Sequence, residues 1–403
     1  MTHAVSAAPG RSGIAGAQSL DGALDGALDG AEQLEHVPFY DLAGMTREVQ
    51  DEILAEWTGL LKSGQFIGGP AVARFEEEWA EFCGARFAVG VANGTDALHL
   101  TLRALGIGPG DEVVVPANTF VATVEAVVLA GATPRFADVD PDTLLITSQT
   151  LVEAAGPATR AAIVVDLYGQ MPDMDALQAT TADLGIDLIE DAAQAQGATW
   201  GSGRSGSYGV AGCFSFYPGK NLGAFGDAGA VVTSDERLAD RLMSLRDHGR
   251  AGGGHYDHEL LGLNSRLDAL QAAVLSAKIP RLDEWNASRR GLMALYRRLL
   301  EPSAARLVEQ LPGGNGVYHL AVVRVPDRDR IRAALSKAAI GTGIHYPTPC
   351  HLMAPYADFS LRQLPVAEAQ AGEILSLPLH PYMQPEDVER VCAVVSEIAP
   401  RTE

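Results

Sequence analysis

Lys220 is the first residue whose setting suggests chemistry. It stands in FSFYPGKNLGAFGDAGAVV (214–232), among aromatic and small residues, with no acidic residue within six positions. A lysine between a strand-like run and a Gly-rich segment is poised for a lowered pKa and for Schiff-base chemistry with a carbonyl. A solvated surface lysine is the plainer alternative. Twenty-nine residues earlier, Asp191 belongs to an acidic pair at the end of a strand-like run, DLIEDAAQAQ (187–196). Open α/β sheets hold their ligands at the C-terminal edge, and a carboxylate buried there must be paired or hydrogen-bonded. A strand-end aspartate in water is its alternative. The third segment is ANGTDAL (92–98), with Gly94 and Thr95 at a strand-to-helix junction. Free amides at a helix N-terminus bind phosphate, though the same residues suit an ordinary N-cap by Asn93 or Thr95.

Taken in order along one chain, the three match what pyridoxal 5'-phosphate requires. That cofactor needs an anion cradle, a carboxylate that keeps its pyridine nitrogen protonated, and a lysine for its aldehyde. The lysine also carries the proton between an amino acid's Cα and the cofactor's C4'.

Other signatures fail. GSGRSG (201–206) has the glycine spacing of a dinucleotide loop, but a strand-like run follows it rather than a helix, so it reads as a hairpin-like turn. Gly219-Lys220 resembles the end of a phosphate-binding loop, yet Phe214 stands where the first glycine belongs and Asn221 where a hydroxyl belongs. There is no G-x-S-x-G elbow. His255 and His258 lack an evident third metal ligand and read as a polar loop. The four cysteines, Cys83, Cys213, Cys350 and Cys392, form no C-x-x-C pair, which favours reduced thiols and a cytoplasmic protein over zinc or disulfides.

The elements that must position these residues alternate. Apolar runs at 85–93, 111–118, 161–169, 187–193, 212–216 and 228–234 are separated by amphipathic stretches such as 95–106, 119–132 and 174–185. Continuous Val/Ile runs separated by helices predict an α/β domain with a mostly parallel sheet covered on both faces. That large domain spans 37–265. From 266 a long helical stretch broken near Pro280 leads into a smaller α+β domain, 266–403. Strands are expected there at 318–325 and 343–346, and helices near 328–339 and from Pro385. Residues 1–36, with the repeated DGAL of 21–31, read as a disordered Ala/Gly-rich tail.

Charge narrows the function. With 51 acidic against 30 basic residues the net charge is −21, which argues against nucleic-acid binding. No apolar run is long enough to span a membrane, and the N-terminus lacks the profile of a secretory signal. An anionic ligand must therefore be met by local donors.

Several ordered blocks carry a resemblance: FIGGPAVARFEEEWAEFCG (66–84), ANGTDALHL, GIGPGDEVVVPANTFVAT, VVDLYGQMPDMDAL, IEDAAQAQGA, FSFYPGKNLGAFGDAGA, LGLNSRLDALQAA and HYPTPCH. From Val37 to the C-terminus the chain resembles the DegT/DnrJ/StrS family of sugar aminotransferases, pyridoxal-phosphate enzymes with the aspartate aminotransferase (type I) fold. The resemblance implies that Lys220 binds the cofactor's aldehyde, Asp191 its pyridine nitrogen and Gln194 its phenolic oxygen. It implies a phosphate cradle of Gly94, Thr95 and Ser215, and Phe120 stacked on the ring. Asn264 falls where relatives reach the neighbouring subunit's cofactor phosphate, which implies a homodimer with shared active sites. Tyr217, His345 and Tyr346 fall where relatives line the sugar pocket. Asp166 departs from the histidine frequent in close relatives.

The implied activity moves an amino group from glutamate to a nucleotide-linked keto-sugar, in the amino-sugar and antibiotic pathways of secondary metabolism. The C3 ketone of a dTDP-6-deoxyhexose is the preferred acceptor, and a C4 ketone comes next. An amino-cyclitol enzyme is less favoured, since such relatives carry a different segment around the lysine. Dehydratases of the family replace the lysine by histidine, and a regulatory cofactor binder has no need to keep Lys220, Asp191 and Gln194 together.

Overall fold

The computed structural model describes residues 35–250 and 256–400. The DGAL repeat and His255 lie outside the described residues. Two helices, α1 (Leu42–Ser63) and α2 (Pro70–Cys83), precede the first strand. Asp41 starts α1 by accepting from the Gly44 amide, and Gly64 ends it at φ 69°, a backbone angle that favours glycine.

The central sheet comprises β1 (Phe87–Val91), β2 (Glu112–Pro116), β3 (Thr133–Ala137), β4 (Thr159–Val165), β5 (Asp187–Asp191), β6 (Ala211–Ser215) and β7 (Gly229–Thr233), in the order β1-β7-β6-β5-β4-β2-β3. Only β7 runs against the rest, between β6 and β1. The crossovers carry α3 (Gly94–Ala104), α4 (Val121–Leu129), α5 (Ser148–Ala154) and α6 (Met174–Leu184). The valine runs follow from burial on both faces. Val113, Val115 and Ile163 pack into a core with Leu98, Leu102 and Val124. Their neighbours Val114, Ala162 and Val164 enter a second core with Leu151, Met174 and Leu177. Each such Val, Ile, Leu or Met side chain contributes roughly 1.5–3 kcal/mol. The GSGRSG segment holds the turn of a small hairpin, Thr199–Trp200 against Gly203–Arg204.

After α7 (Glu236–Arg246), α8 (Ala269–Lys278) leads to α9 (Leu282–Leu300) through a single 3-10 turn at Ile279–Arg281, which holds Pro280. A separate three-stranded antiparallel sheet follows: a short strand Arg306–Leu307, β8 (Ala321–Arg324) and β9 (Ile374–Leu377). With α9, α10 (Arg328–Lys337) and α12 (Pro385–Ile398) it encloses its own core of Tyr296, Val323, Leu375 and Val391, whereas α11 (Pro365–Glu373) places Ala367 in the first core of the central sheet. Val37 joins the C-terminal core by bonding to the chain at Ala339 and Gly341, so that core also draws on the segment just before α1.

One expected strand is absent. Residues 343–346 form no strand; Gly343 makes a single bridge to Ser376, and the strand in that layer is β9. The apolar and aromatic character of the segment serves packing instead: His345 stacks on Phe39, and Ile344 leans on the C-terminal core.

Candidate active site

The C-terminal edge of the central sheet opens into a cavity of about 450 Å³. Its wall includes Gly94, Thr95, Phe120, Asp191, Gln194, Ser215, Tyr217, Lys220, His345 and Tyr346. Of the residues expected from the sequence, only Asn264 stands elsewhere. It is exposed, and its side-chain oxygen accepts from Arg266 Nη2 at 2.9 Å.

Asp191 is the last residue of β5 and is buried. Thr123 Oγ1 donates to its Oδ2 at 2.7 Å, and the Ala193 amide donates to Oδ1 at 3.3 Å. Because the Thr123 hydrogen is committed to Asp191, Thr119 must donate in the 2.7 Å contact between the two hydroxyls. This pair of threonines at the start of α4 escapes the sequence reading: only tertiary pairing reveals it, although Thr123 lies three residues beyond Phe120. Burial raises the Asp191 carboxyl above its ordinary range, and Thr123, Ala193 and Lys220 oppose that shift.

Lys220 lies in the connection from β6 to β7, where its amide donates to Tyr217 O at 2.8 Å. Burial lowers its ammonium to about 8, and the charge of Asp191 opposes the shift. An amine in that range is available as both nucleophile and proton carrier near neutrality.

The fit to a phosphate can be tested at α3. Asn93 caps the helix by accepting from the Asp96 amide at 2.8 Å. Among the described residues, the amides of Gly94 and Thr95 donate to no acceptor. A Cβ on Gly94 would meet the Ser215 Cβ at 2.7 Å, so this cradle requires bare backbone beside the serine hydroxyl. Capping and phosphate binding, set against each other by sequence alone, are compatible here, because the cap uses a different amide. With Asp191 for the ring nitrogen and Lys220 for the aldehyde, the donor set suits pyridoxal phosphate.

Gln194 is clamped. Its Oε1 accepts from the Tyr168 amide at 2.8 Å, and its Nε2 donates to the Tyr346 hydroxyl at 3.0 Å. Tyr346 also faces Phe120, with ring centroids 5.6 Å apart. Phe120 is half exposed where α4 begins, which leaves a ring face available. Tyr217 is likewise exposed at the mouth. The His345 ring meets Ser376 Oγ at 2.8 Å, and burial, with Lys220 nearby, lowers its pKa to about 4.

Asp166, at the end of β4, lies outside the cavity wall. It is fully buried, and neither carboxylate oxygen has a hydrogen-bond partner. Burial first, then Glu190 and Asp191 on the neighbouring strand, raise its carboxyl well above the usual value. An unfolded aspartate ionises near pH ~4, so the folded protein holds a proton that the unfolded chain releases, and stability falls as pH rises above that point. Asp166→Asn removes the penalty. Its melting temperature is expected to rise at pH 8, by roughly 1 °C for each kcal/mol of penalty removed from a chain of 403 residues, and to match the parent near pH 4. A loss at both pH values would show that the acid itself holds the fold.

Among the described residues, no helix is long and apolar enough to cross a membrane, and no group of three or more His, Cys, Asp or Glu could hold a metal. All four cysteines are free and buried.

Comparisons with known proteins place the chain in a family. The pattern of the DegT/DnrJ/EryC1/StrS aminotransferase family matches residues 47–396. The erythromycin biosynthesis sensory transduction protein EryC1 of Saccharopolyspora erythraea is 45% identical over 89% of this chain and 98% of its own. The dTDP-3-amino-3,4,6-trideoxy-alpha-D-glucose transaminase of Streptomyces venezuelae is 43% identical over 91% of this chain and 97% of its own. The crystal structure of NtdA from Bacillus subtilis with bound cofactor PMP superposes with a TM-score of 0.83 at 30% identity, covering 90% of this chain and 85% of that one. The chain belongs to the DegT/DnrJ/EryC1/StrS aminotransferase family, and pyridoxal 5'-phosphate is its cofactor.

Proposed function

We propose that the protein moves an amino group from glutamate to the C3 ketone of a dTDP-linked 6-deoxyhexose. The observation that carries this reading is the placing of Lys220, Asp191 and the Gly94–Thr95–Ser215 cradle on one cavity wall. The name of the S. venezuelae relative, a 3-amino-sugar transaminase, supports the choice of carbon. The EryC1 name suggests a sensor, but a sensor has no use for a reactive lysine facing a buried aspartate.

When bound, pyridoxal phosphate supplies an aldehyde and an electron-accepting ring. The rest is the work of the chain. The α3 amides and Ser215 hold the phosphate, and Asp191, kept in place by Thr123 and Ala193, holds the proton on the pyridine nitrogen. Lys220 takes a proton from Cα of the amino acid and delivers it at C4'. Gln194 would meet the cofactor's phenolic oxygen, and Phe120 would cover its ring. Tyr217, His345 and Tyr346 line the space left for the sugar.

The reading includes a homodimer. Asn264 uses its side-chain oxygen on Arg266, and among the described residues its NH₂ group has no partner. An exposed amide donor outside its own cavity suits the phosphate of a second copy.

The test is a panel of keto-sugar nucleotides with glutamate, with the aminated carbon assigned by NMR. Amination at C3 of a dTDP-6-deoxyhexose is expected. Amination at C4 alone, or of no keto-sugar nucleotide, overturns the reading.

A further inference from the structure

Three buried amide side chains, Gln196, Asn221 and Asn286, lie outside the cavity wall yet join its parts. Asn221 directly follows Lys220. Its Nδ2 donates to Asn286 Oδ1 at 2.9 Å and to the Val317 carbonyl at 3.0 Å, and its Oδ1 lies 3.2 Å from His319 Nδ1. Asn286, on α9, donates from Nδ2 to the Gln196 carbonyl at 2.9 Å. Gln196 in turn donates from Nε2 to the carbonyls of Ser215 at 2.7 Å and Ala193 at 3.2 Å. A linked set of hydrogen bonds therefore runs from the residue after Lys220, through α9, to the serine of the phosphate cradle. It also grips Ala193, whose amide donates to Asp191.

The directions of these bonds are fixed. A main-chain carbonyl only accepts, so the NH₂ group of each amide must face the carbonyl it meets: Val317 for Asn221, Gln196 for Asn286, Ser215 and Ala193 for Gln196. Turning the Asn286 amide over would set oxygen against oxygen at Gln196 and NH₂ against NH₂ at Asn221. The backbone comes close here. Gly197 has φ 92°, and a Cβ there would meet Asn286 Nδ2 at 2.9 Å, so glycine serves both the turn and the approach. Gln196 Oε1 has no partner among the described residues, while every other polar atom of the three amides has one. Unpairing such buried groups is costly, so the network holds a single arrangement.

We propose that Asn286 is a positioning residue for the cofactor: through Asn221 and Gln196 it keeps Lys220 and Ser215 at one separation. The chain turns between those two residues, with the Lys220 amide donating to Tyr217 O at 2.8 Å, and the amides close that turn from behind. A cofactor held at its aldehyde by Lys220 and at its phosphate by the cradle is tethered at two points. A change in their spacing therefore works against one tether or the other. The role rests on the aminotransferase reading and its cofactor, and deepens it.

The experiment titrates the full chain with pyridoxal phosphate and, separately, with pyridoxamine phosphate, and reads each affinity by calorimetry. The first form engages both Lys220 and the cradle. The second has no aldehyde and needs only the cradle and Asp191. In Asn286→Ala the affinity for pyridoxal phosphate is expected to fall roughly 10- to 100-fold further than that for pyridoxamine phosphate, the scale on which small misplacements act. Asn221→Ala cuts the same link from the lysine side and should shift the ratio similarly, and the double variant should shift it no further than either single one. Leu292→Ala truncates the same helix inside the C-terminal core and should leave the ratio at the parental value. Equal losses for the two forms in Asn286→Ala, or the same shift in Leu292→Ala, would make Asn286 merely structural and overturn the proposal. Additive shifts in the double variant would overturn it too, as would failure of both single variants to fold. If the unchanged protein binds neither form, the cofactor reading itself falls, a result distinct from all of these.

Discussion

Lys220→Ala is expected to abolish steady-state transamination, with at least a 10³-fold loss, while the protein remains folded. Two functions vanish at once: the amine that holds the cofactor's aldehyde, and the base that moves the proton between Cα and C4'. The acid–base part alone is worth 10²–10⁴-fold. The loss is chemical rather than structural, since burial already drives this amine toward its neutral form, with a pKa near 8. Its side chain also ties no other element together among the described residues. Turnover with glutamate, alongside a thermal melt, checks both halves. Activity within about tenfold of the parent would remove Lys220 from the chemistry.

Asp191→Asn is the second large effect. The amide fits the same space and can still meet Thr123 Oγ1, whose 2.7 Å bond fixes the side chain. Cofactor binding should therefore persist, and the absorbance of the bound cofactor reports it. A neutral amide cannot hold a proton on the pyridine nitrogen, so the ring loses its capacity to accept electrons from Cα. Turnover should fall by roughly 10²-fold or more. Near-parental turnover in a variant that keeps its cofactor would rule this role out.

Much of this site is legible in the sequence because its parts sit at ends of elements. Asp191 is the second of the acidic pair that ends the strand-like run DLIED and does end β5. Gly94 opens an amphipathic stretch and does start α3. Lys220 falls between two strand-like runs and does occupy the β6–β7 connection. The proline break at 280 is equally local. What escaped depends on pairing across the fold. Thr119 and Thr123 look like ordinary helix-start residues until Asp191 is placed 68 positions away. Asn221 and His319 are 98 positions apart, and neither flanking sequence marks them as partners. The misread strand at 343–346 shows the opposite limit. Its residues suit a pleated surface, but one face is taken up by stacking on Phe39 and by the cavity, leaving only the bridge at Gly343.

The central claim is that one lysine, Lys220, carries the cofactor in a cavity completed by Asp191 and the α3 cradle. The most direct measurement is borohydride treatment of the cofactor-loaded protein followed by peptide mass mapping. Reduction fixes the cofactor's mass to whichever lysine holds its aldehyde. The account predicts a single modified peptide, the one containing FYPGKNLG, with the label on Lys220. A label on another lysine, such as Lys278, whose pKa burial also lowers to about 8, would contradict it, as would a protein that binds the cofactor but acquires no label.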